Sequence, residues 1–357
     1  MKKIILTSII IIFICAIGFN AFKNLSPEKK DIITIRIGYQ SQCTQTWSAL
    51  IIKNKKLIEK NIQREFPDKE VQIIWEDSPS GPPITSNMIA GKTQIGFMGD
   101  MPLLINGSKG QSHPTYKSIL LAMDGKGKAG KNQSIMITSG EVGMSISDLR
   151  GKTVSVPVGS SAHRMLLLVL EKNGLTDEVE IVNQDVSTGL ISIETQKIDA
   201  HATWEPYPAY MIHRGKSATL VDGSASGVDY LTGIVVDRAW AEANPELAVA
   251  VAQSLLQAHA FITQNPEEAA RIFERESSFP IEVTQKLVSS VRWDAFVYPQ
   301  DVETLKGDVT FLRSLGKIEE MDVNAFVDSS YLKQAAEKEG ISYPSDKMLA
   351  QGWHETN

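Results

Sequence analysis

Hydrophobic and polar positions along the chain switch repeatedly between two periods. From Ile32 to Tyr39 the order Ile-Ile-Thr-Ile-Arg-Ile-Gly-Tyr is a β-branched, period-two run that predicts a strand. A polar turn over Gln40 to Thr46 follows, and then Leu50, Ile51, Leu57, Ile58 and Ile62 fall at helical spacing from about Trp47 to Ile62. Val71 to Trp75 reads as a second strand. It runs into Ser78-Pro79-Ser80-Gly81-Pro82-Pro83, whose prolines suit a loop and helix start, and Gly91 ends that helix. Ile95 to Met98 is a third strand, and Asp100 is expected to cap the helix opened by Gly99-Asp100-Met101-Pro102.

Strand and helix in alternation predict a parallel sheet covered by helices. The rhythm breaks where Ile119 to Met123 and Ser134 to Thr138 read as strands on both sides of the Gly/Lys-rich stretch Asp124 to Asn132, which is where the chain is expected to cross into a second lobe. That lobe repeats the plan: strand Thr153–Val156, turn Gly159-Ser160-Ser161, helix Ala162–Lys172 stopped by Gly174, strand Val179–Val182, a helix over Ser187–Gln196, strand Ala200–Thr203 and the loop Trp204 to Pro208. After Leu220–Asp222, the apolar run Leu231–Val236 is expected to return to the first sheet. Asn244-Pro245-Glu246 and Asn265-Pro266-Glu267 then start helices, with more helix to about Glu339. The reading is an α/β chain of two Rossmann-like lobes joined by a two-strand hinge: residues 32–125 and 229–345 form the first lobe, residues 126–228 the second.

Composition bears on compartment and partners. The chain has 357 residues, room for two cores, and its 42% hydrophobic and 22% charged content fits a folded, mainly soluble protein. Lys2 and Lys3 precede an apolar run from Ile4 to Gly18, too short for an ordinary membrane span. Residues 1–21 are therefore read as an export signal cleaved near Ala21, with an uncleaved anchor, or lipid on Cys15, as alternatives. The net charge of −6 becomes two units more negative when Lys2 and Lys3 leave, which argues against nucleic acid. Cys43 is then the one remaining cysteine, so neither a disulfide nor a cysteine-based metal site is expected, and no cofactor is implied.

Candidate chemistry is sparse. Gly125 to Lys131 fits G-x-G-x-x-G, but a strand signal follows where a helix must open, so this stretch is read as a solvated basic loop. His113, His163, His201, His213, His259 and His354 lack catalytic or metal-ligand spacing and are read as surface or packing residues. Asp100 and Glu205 as an acid and base pair is weaker than helix capping for Asp100 and a turn carboxylate for Glu205. The stronger signal is positional: polar turns follow the strands, where open parallel sheets bind ligands, and helix starts there offer N–H groups to an anion.

Four segments together carry a family resemblance: Ile37-Gly38-Tyr39-Gln40; Gly91 to Gly96 followed by Gly99-Asp100-Met101-Pro102; Leu149 to His163, containing Pro157-Val158-Gly159-Ser160-Ser161; and Ile198 to Pro206, containing Trp204-Glu205. In this order and spacing the chain resembles the substrate-binding proteins of ATP-driven (ABC) importers for nitrate, sulfonates, taurine and similar compounds, a group also related to pyrimidine-precursor binders. The resemblance implies a type II-like periplasmic-binding-protein fold and a periplasmic, non-enzymatic monomer. Such a protein closes on a small anionic or zwitterionic solute and delivers it to a permease with a cytoplasmic ATPase.

Carried over by position, the cleft residues are Gln40, Gln42, Ser80, Gly81, Gly99, Asp100, Ser160, Ser161, His163, Trp204, Glu205 and Tyr230. A sulfonate would use Ser160, Ser161, Gln40 and His163, with Glu205 facing an amine, whereas a pyrimidine would stack on Trp204 and bond Gln40, Gln42 and Asp100. Arg164 stands where many relatives carry an aromatic residue. An enzyme or a sensor domain on the same fold remains an alternative.

Overall fold

The computed structural model describes residues 32–141 and 143–354; the expected export signal and Cys15 lie outside them. Eleven strands form two sheets among these residues. The six-stranded sheet has the order β11-β4-β10-β3-β1-β2, with β1 Ile32–Tyr39, β2 Glu70–Asp77, β3 Ile95–Gly99, β4 Ser118–Gly127, β10 Tyr230–Asp237 and β11 Arg292–Trp293. The five-stranded sheet has the order β7-β6-β8-β5-β9, with β5 Gln133–Thr138, β6 Thr153–Val156, β7 Glu180–Asn183, β8 Ala200–Trp204 and β9 Ser217–Asp222.

In each sheet the strands that lead into helices run parallel, β1 beside β2 and β3, and β6 beside β7 and β8. The strands next to the crossings, β4, β5 and β10, pair antiparallel to their neighbours. This is a two-lobed α/β fold in which β10 re-enters the first sheet between β3 and β4. Its apolar run Leu231 to Val236 is wholly buried there, as a central strand covered on both faces requires.

The chain leaves the six-stranded sheet after Gly127 and returns at Tyr230. The two crossings lie side by side: the Ala129 N–H donates to Asp229 Oδ1 at 2.6 Å and Ser226 Oγ to the Ala129 carbonyl at 3.3 Å. The 20-residue helix Pro245–Gln264 packs its apolar face on the helices that follow β1 and on Ser330–Lys338, giving the first lobe its largest core. Helix Asp346–Gln351 and Trp353 extend that lobe, and Trp353 is buried.

The structure corrects three local expectations. The helix expected over Trp47–Ile62 is two helices, Ser48–Lys55 and Leu57–Glu65, broken at Lys56, which adopts the left-handed conformation at φ 53°. Asp100 is not the cap of its helix: Gly99 occupies that position, and Asp100 is the first helical residue. The first half of the Gly/Lys-rich stretch is not a solvated loop, although Lys128 and Lys131 in its second half are exposed. β4 continues through Asp124-Gly125-Lys126-Gly127, and Lys126 is 1% exposed. Its ammonium donates to Asp301 Oδ2 at 2.7 Å and to the Phe296 carbonyl at 2.8 Å, and lies 4.5 Å from the Tyr298 ring centre. A charge in sequence looks solvated until a partner from a distant segment covers it, and Asp301 is such a partner.

Candidate functional site

The strand ends that point the same way in both lobes face one another across a cleft of about 810 Å³. From the first lobe, the turns after β1, β2 and β3 supply Gln40, Gln42 and Cys43, then Pro79 to Pro82, then Gly99 and Pro102; β10 adds Tyr230. From the second, the turns after β6, β7 and β8 supply Pro157 to Ser161, Asn183 to Thr188, and Trp204 with Tyr207. Two glycines are needed for this geometry. Gly159 sits at φ +88°, where a side chain would be strained, and a Cβ on Gly81 would come within 2.1 Å of Pro102 Cβ.

Of the expected residues, Gln40, Gln42, Ser80, Gly81, Gly99, Ser160, Ser161, Trp204 and Tyr230 line this cleft. Three do not. Asp100 is 1% exposed behind the wall, where it accepts from Ser161 Oγ, from the Met101 N–H at 2.7 Å and from the Leu231 N–H at 3.2 Å. His163 turns its ring away, accepts the Gly159 N–H at 3.2 Å and stacks edge-on against Phe311; burial and then Lys317 hold its imidazole below its ordinary range. Glu205 folds back to accept the Ala209 N–H at 3.0 Å, and burial pushes its carboxyl up to about 7. It therefore serves its own helix and is not placed to meet a ligand amine.

The stretch Asn183 to Thr188 was missed, although Asp185 followed by Thr188 is a legible helix start: Asp185 accepts the Thr188 N–H at 2.8 Å. Cys43 and Tyr207 were missed too. The Tyr207 hydroxyl donates to Gln42 Oε1, and Trp204 Nε1 donates to the Gln42 carbonyl at 3.2 Å, so Gln42 joins the lobes. Arg164, the departure from the family pattern, forms an ion pair across the lobes with Asp308 of helix Pro299–Ser314.

Four helices of eight or more residues begin at the cleft: Gly81–Ile89, Asp100–Ser112, Ser161–Lys172 and Val186–Glu194. They differ in what they offer. Pro82, Pro83 and Pro102 remove N–H donors from the two in the first lobe, and Asp185 sets a carboxylate at the last. The Ser161–Lys172 helix keeps its leading N–H groups at Ser161 and Ala162, which have no carbonyl ahead of them within the helix, with Ser160 Oγ capping the His163 N–H at 3.2 Å. No Lys, Arg or His side chain lines the cleft among the described residues. An anion there would be held by backbone N–H groups and the helix dipole.

The Cys43 thiol meets the Tyr230 hydroxyl at 3.3 Å, and burial pushes it up to about 11, so little thiolate forms at neutral pH. Among the described residues no group of three or more His, Cys, Asp or Glu could hold a metal ion, and no helix is long and apolar enough to cross a membrane.

Comparison with known proteins agrees with this architecture. Residues 130–269 match the family described as NMT1/THI5 like. A protein of Bacillus subtilis named for binding aliphatic sulfonates is 24% identical over 342 residues, 95% of this chain and 98% of its own length. The taurine-binding periplasmic protein of Escherichia coli is 29% identical over 198 residues, 54% of this chain and 58% of its own. The alkanesulfonate-binding protein SsuA from Xanthomonas axonopodis pv. citri, solved with MOPS bound, superposes with a TM-score of 0.69 at 21% identity, covering 83% of this chain and 98% of that one. Residues 130–269 thus resemble the NMT1/THI5-like family, and the chain as a whole has the two-lobed fold of the periplasmic binding proteins it superposes on.

Proposed function

We propose that this chain is the exported solute-binding component of an ABC importer, which closes on a small anionic solute, sulfonate-like in preference to nitrate or taurine, and hands it to a membrane permease driven by a cytoplasmic ATPase. The observation that carries this reading is the interlobe cleft itself. It has a helix start whose Ser161 and Ala162 N–H groups have no carbonyl ahead of them in the helix, an apolar wall at Trp204, and no side-chain cation among the described residues. A sulfonate presents three oxygens to such donors and its carbon chain to the apolar wall. The reading is of a binder without turnover, since among the described residues the raised Cys43 thiol has no histidine beside it in the cleft. The names of the relatives support the same class.

The test is a thermal-shift screen of the protein without residues 1–21 against alkyl and aryl sulfonates, taurine, nitrate, bicarbonate and pyrimidine precursors. A ligand at about 100 times its dissociation constant stabilises by roughly 2.7 kcal/mol. A shift with sulfonates that disappears in Trp204→Ala is the expected result. A shift with pyrimidine precursors alone would replace the ligand class, and a shift with none of them would sink it.

A further inference from the structure

Ser161 stands at the junction of the solute cleft and a small interlobe cavity lined by Asp100, Arg164, Asp229 and Asp308. Its hydroxyl is already committed, because Ser161 Oγ–H donates to Asp100. A serine hydroxyl has a single hydrogen. While Asp100 is a carboxylate, Ser161 therefore shows the cleft only oxygen lone pairs, which repel an anion at the very helix start best suited to hold one.

The other groups hydrogen-bonded to Asp100 are donors. The Met101 and Leu231 N–H groups point hydrogens at its oxygens, and Arg164 lies beside it. When Asp100 takes up a proton, Ser161 Oγ is, among the groups hydrogen-bonded to it, the one able to accept that hydrogen, which places the acid proton on the oxygen facing Ser161.

We propose that Asp100, without touching the solute, sets the hydrogen-bonding polarity of Ser161: as a carboxylate it holds the Ser161 hydrogen, and as an acid it donates its own hydrogen to Ser161 Oγ and turns the serine hydrogen into the cleft. The step is one proton taken from solvent and one hydroxyl rotation, with no other bond made or broken. Anion binding at the Ser160–Ala162 turn is then coupled to proton uptake. The inference rests on the reading of this cleft as an anion site.

The charges around Asp100 place this switch within reach of neutral pH. Asp308 on helix Pro299–Ser314 shares the single Arg164 guanidinium of helix Ser161–Lys172, and Tyr230 on β10 lies on the third side; Asp229, bound by His354 at 2.8 Å, completes the small cavity. Burial pushes Asp100 up to about 6, against the hydrogen bonds from Ser161, Leu231 and Met101 and the charge of Arg164.

The experiment measures the dissociation constant of ethanesulfonate, which stays ionised throughout, between about pH 5 and pH 8, by calorimetry in buffers of different ionisation enthalpy. Wild type is expected to bind roughly tenfold more weakly at the upper end, with net proton uptake on binding. Ser161→Ala should bind at the weak level across the range, and Ser161→Thr, which keeps a hydroxyl, should restore the slope. A flat wild-type profile with intact binding, or a full slope surviving in Ser161→Ala, overturns the proposal and leaves the solute reading standing.

If ethanesulfonate binds at no pH, the solute reading fails, and carboxyl carbon NMR of the ligand-free protein decides the switch. An Asp resonance absent in Asp100→Asn should titrate near the value given above and move upward in Ser161→Ala, which loses the stabilising hydrogen bond. A carboxyl that stays ionised to about pH 4 and ignores Ser161→Ala refutes it.

Discussion

Lys126→Met isolates the feature that sequence misrepresents most. Lys126 and Asp301 are both 0% exposed at their side chains, 2.7 Å apart. Asp301 also accepts Trp353 Nε1 at 2.6 Å and the Tyr298 N–H at 3.0 Å. Methionine keeps most of the volume of lysine, so packing changes little and what is lost is the charge. Removing one partner of a buried ion pair leaves the other uncompensated, at a cost of about 3–5 kcal/mol. For a protein of this size that corresponds to a fall of roughly 4–7 °C in Tm. The assay is thermal and urea unfolding followed by circular dichroism. The double variant Lys126→Met with Asp301→Asn should lose markedly less than the sum of the two single changes, because the stranded carboxylate is gone. A loss below about 1 kcal/mol for Lys126→Met would refute the reasoning, since it would mean that water replaces the ammonium at no cost.

Three other outcomes are expected. His201 is buried against Ser155, with Nδ1 2.7 Å from Ser155 Oγ, and burial holds it down at about 4 against an ordinary 6.5. The unfolded chain takes up this proton first, so the stabilisation is complete above about pH 6.5 and is lost towards about pH 4, by at most roughly 3 kcal/mol. Unfolding midpoints at the two ends should differ less in His201→Asn, and an unchanged difference would exclude His201 as the cause. Tyr207→Phe removes the hydroxyl that donates to Gln42 across the cleft, which should weaken solute binding by about fivefold, for a net hydrogen bond near 1 kcal/mol, without changing Tm by more than a few degrees; an unaltered dissociation constant would show that this bond does not hold the closed form. Gly81→Ala drives a Cβ into Pro102 and should cost about 1–3 kcal/mol in thermal unfolding, and a neutral effect would mean that the two helix starts separate freely.

Much of the fold was legible because its signals are local. The period-two run at Ile32–Tyr39, the prolines opening Pro245–Gln264 and the buried stretch Leu231–Val236 each fix their own backbone, and alternation of strand and helix implies which strand ends gather. Cleft residues on those turns were readable for that reason. Asp100, His163 and Glu205 sit on the same turns yet point away from the cleft, and side-chain direction at a helix start depends on which partner comes within reach.

Sequence by itself determined most of the elements, the two-lobed plan and most of the turns that meet at the cleft, since these follow from periodicity and turn chemistry along the chain. Tertiary structure decided which charges are buried and what the polar side chains are bonded to. Lys126 meets Asp301 from 175 residues away, and Asp100 meets Ser161 from 61 residues away. Both depend on desolvation and partner geometry, which come into being only when distant segments pack.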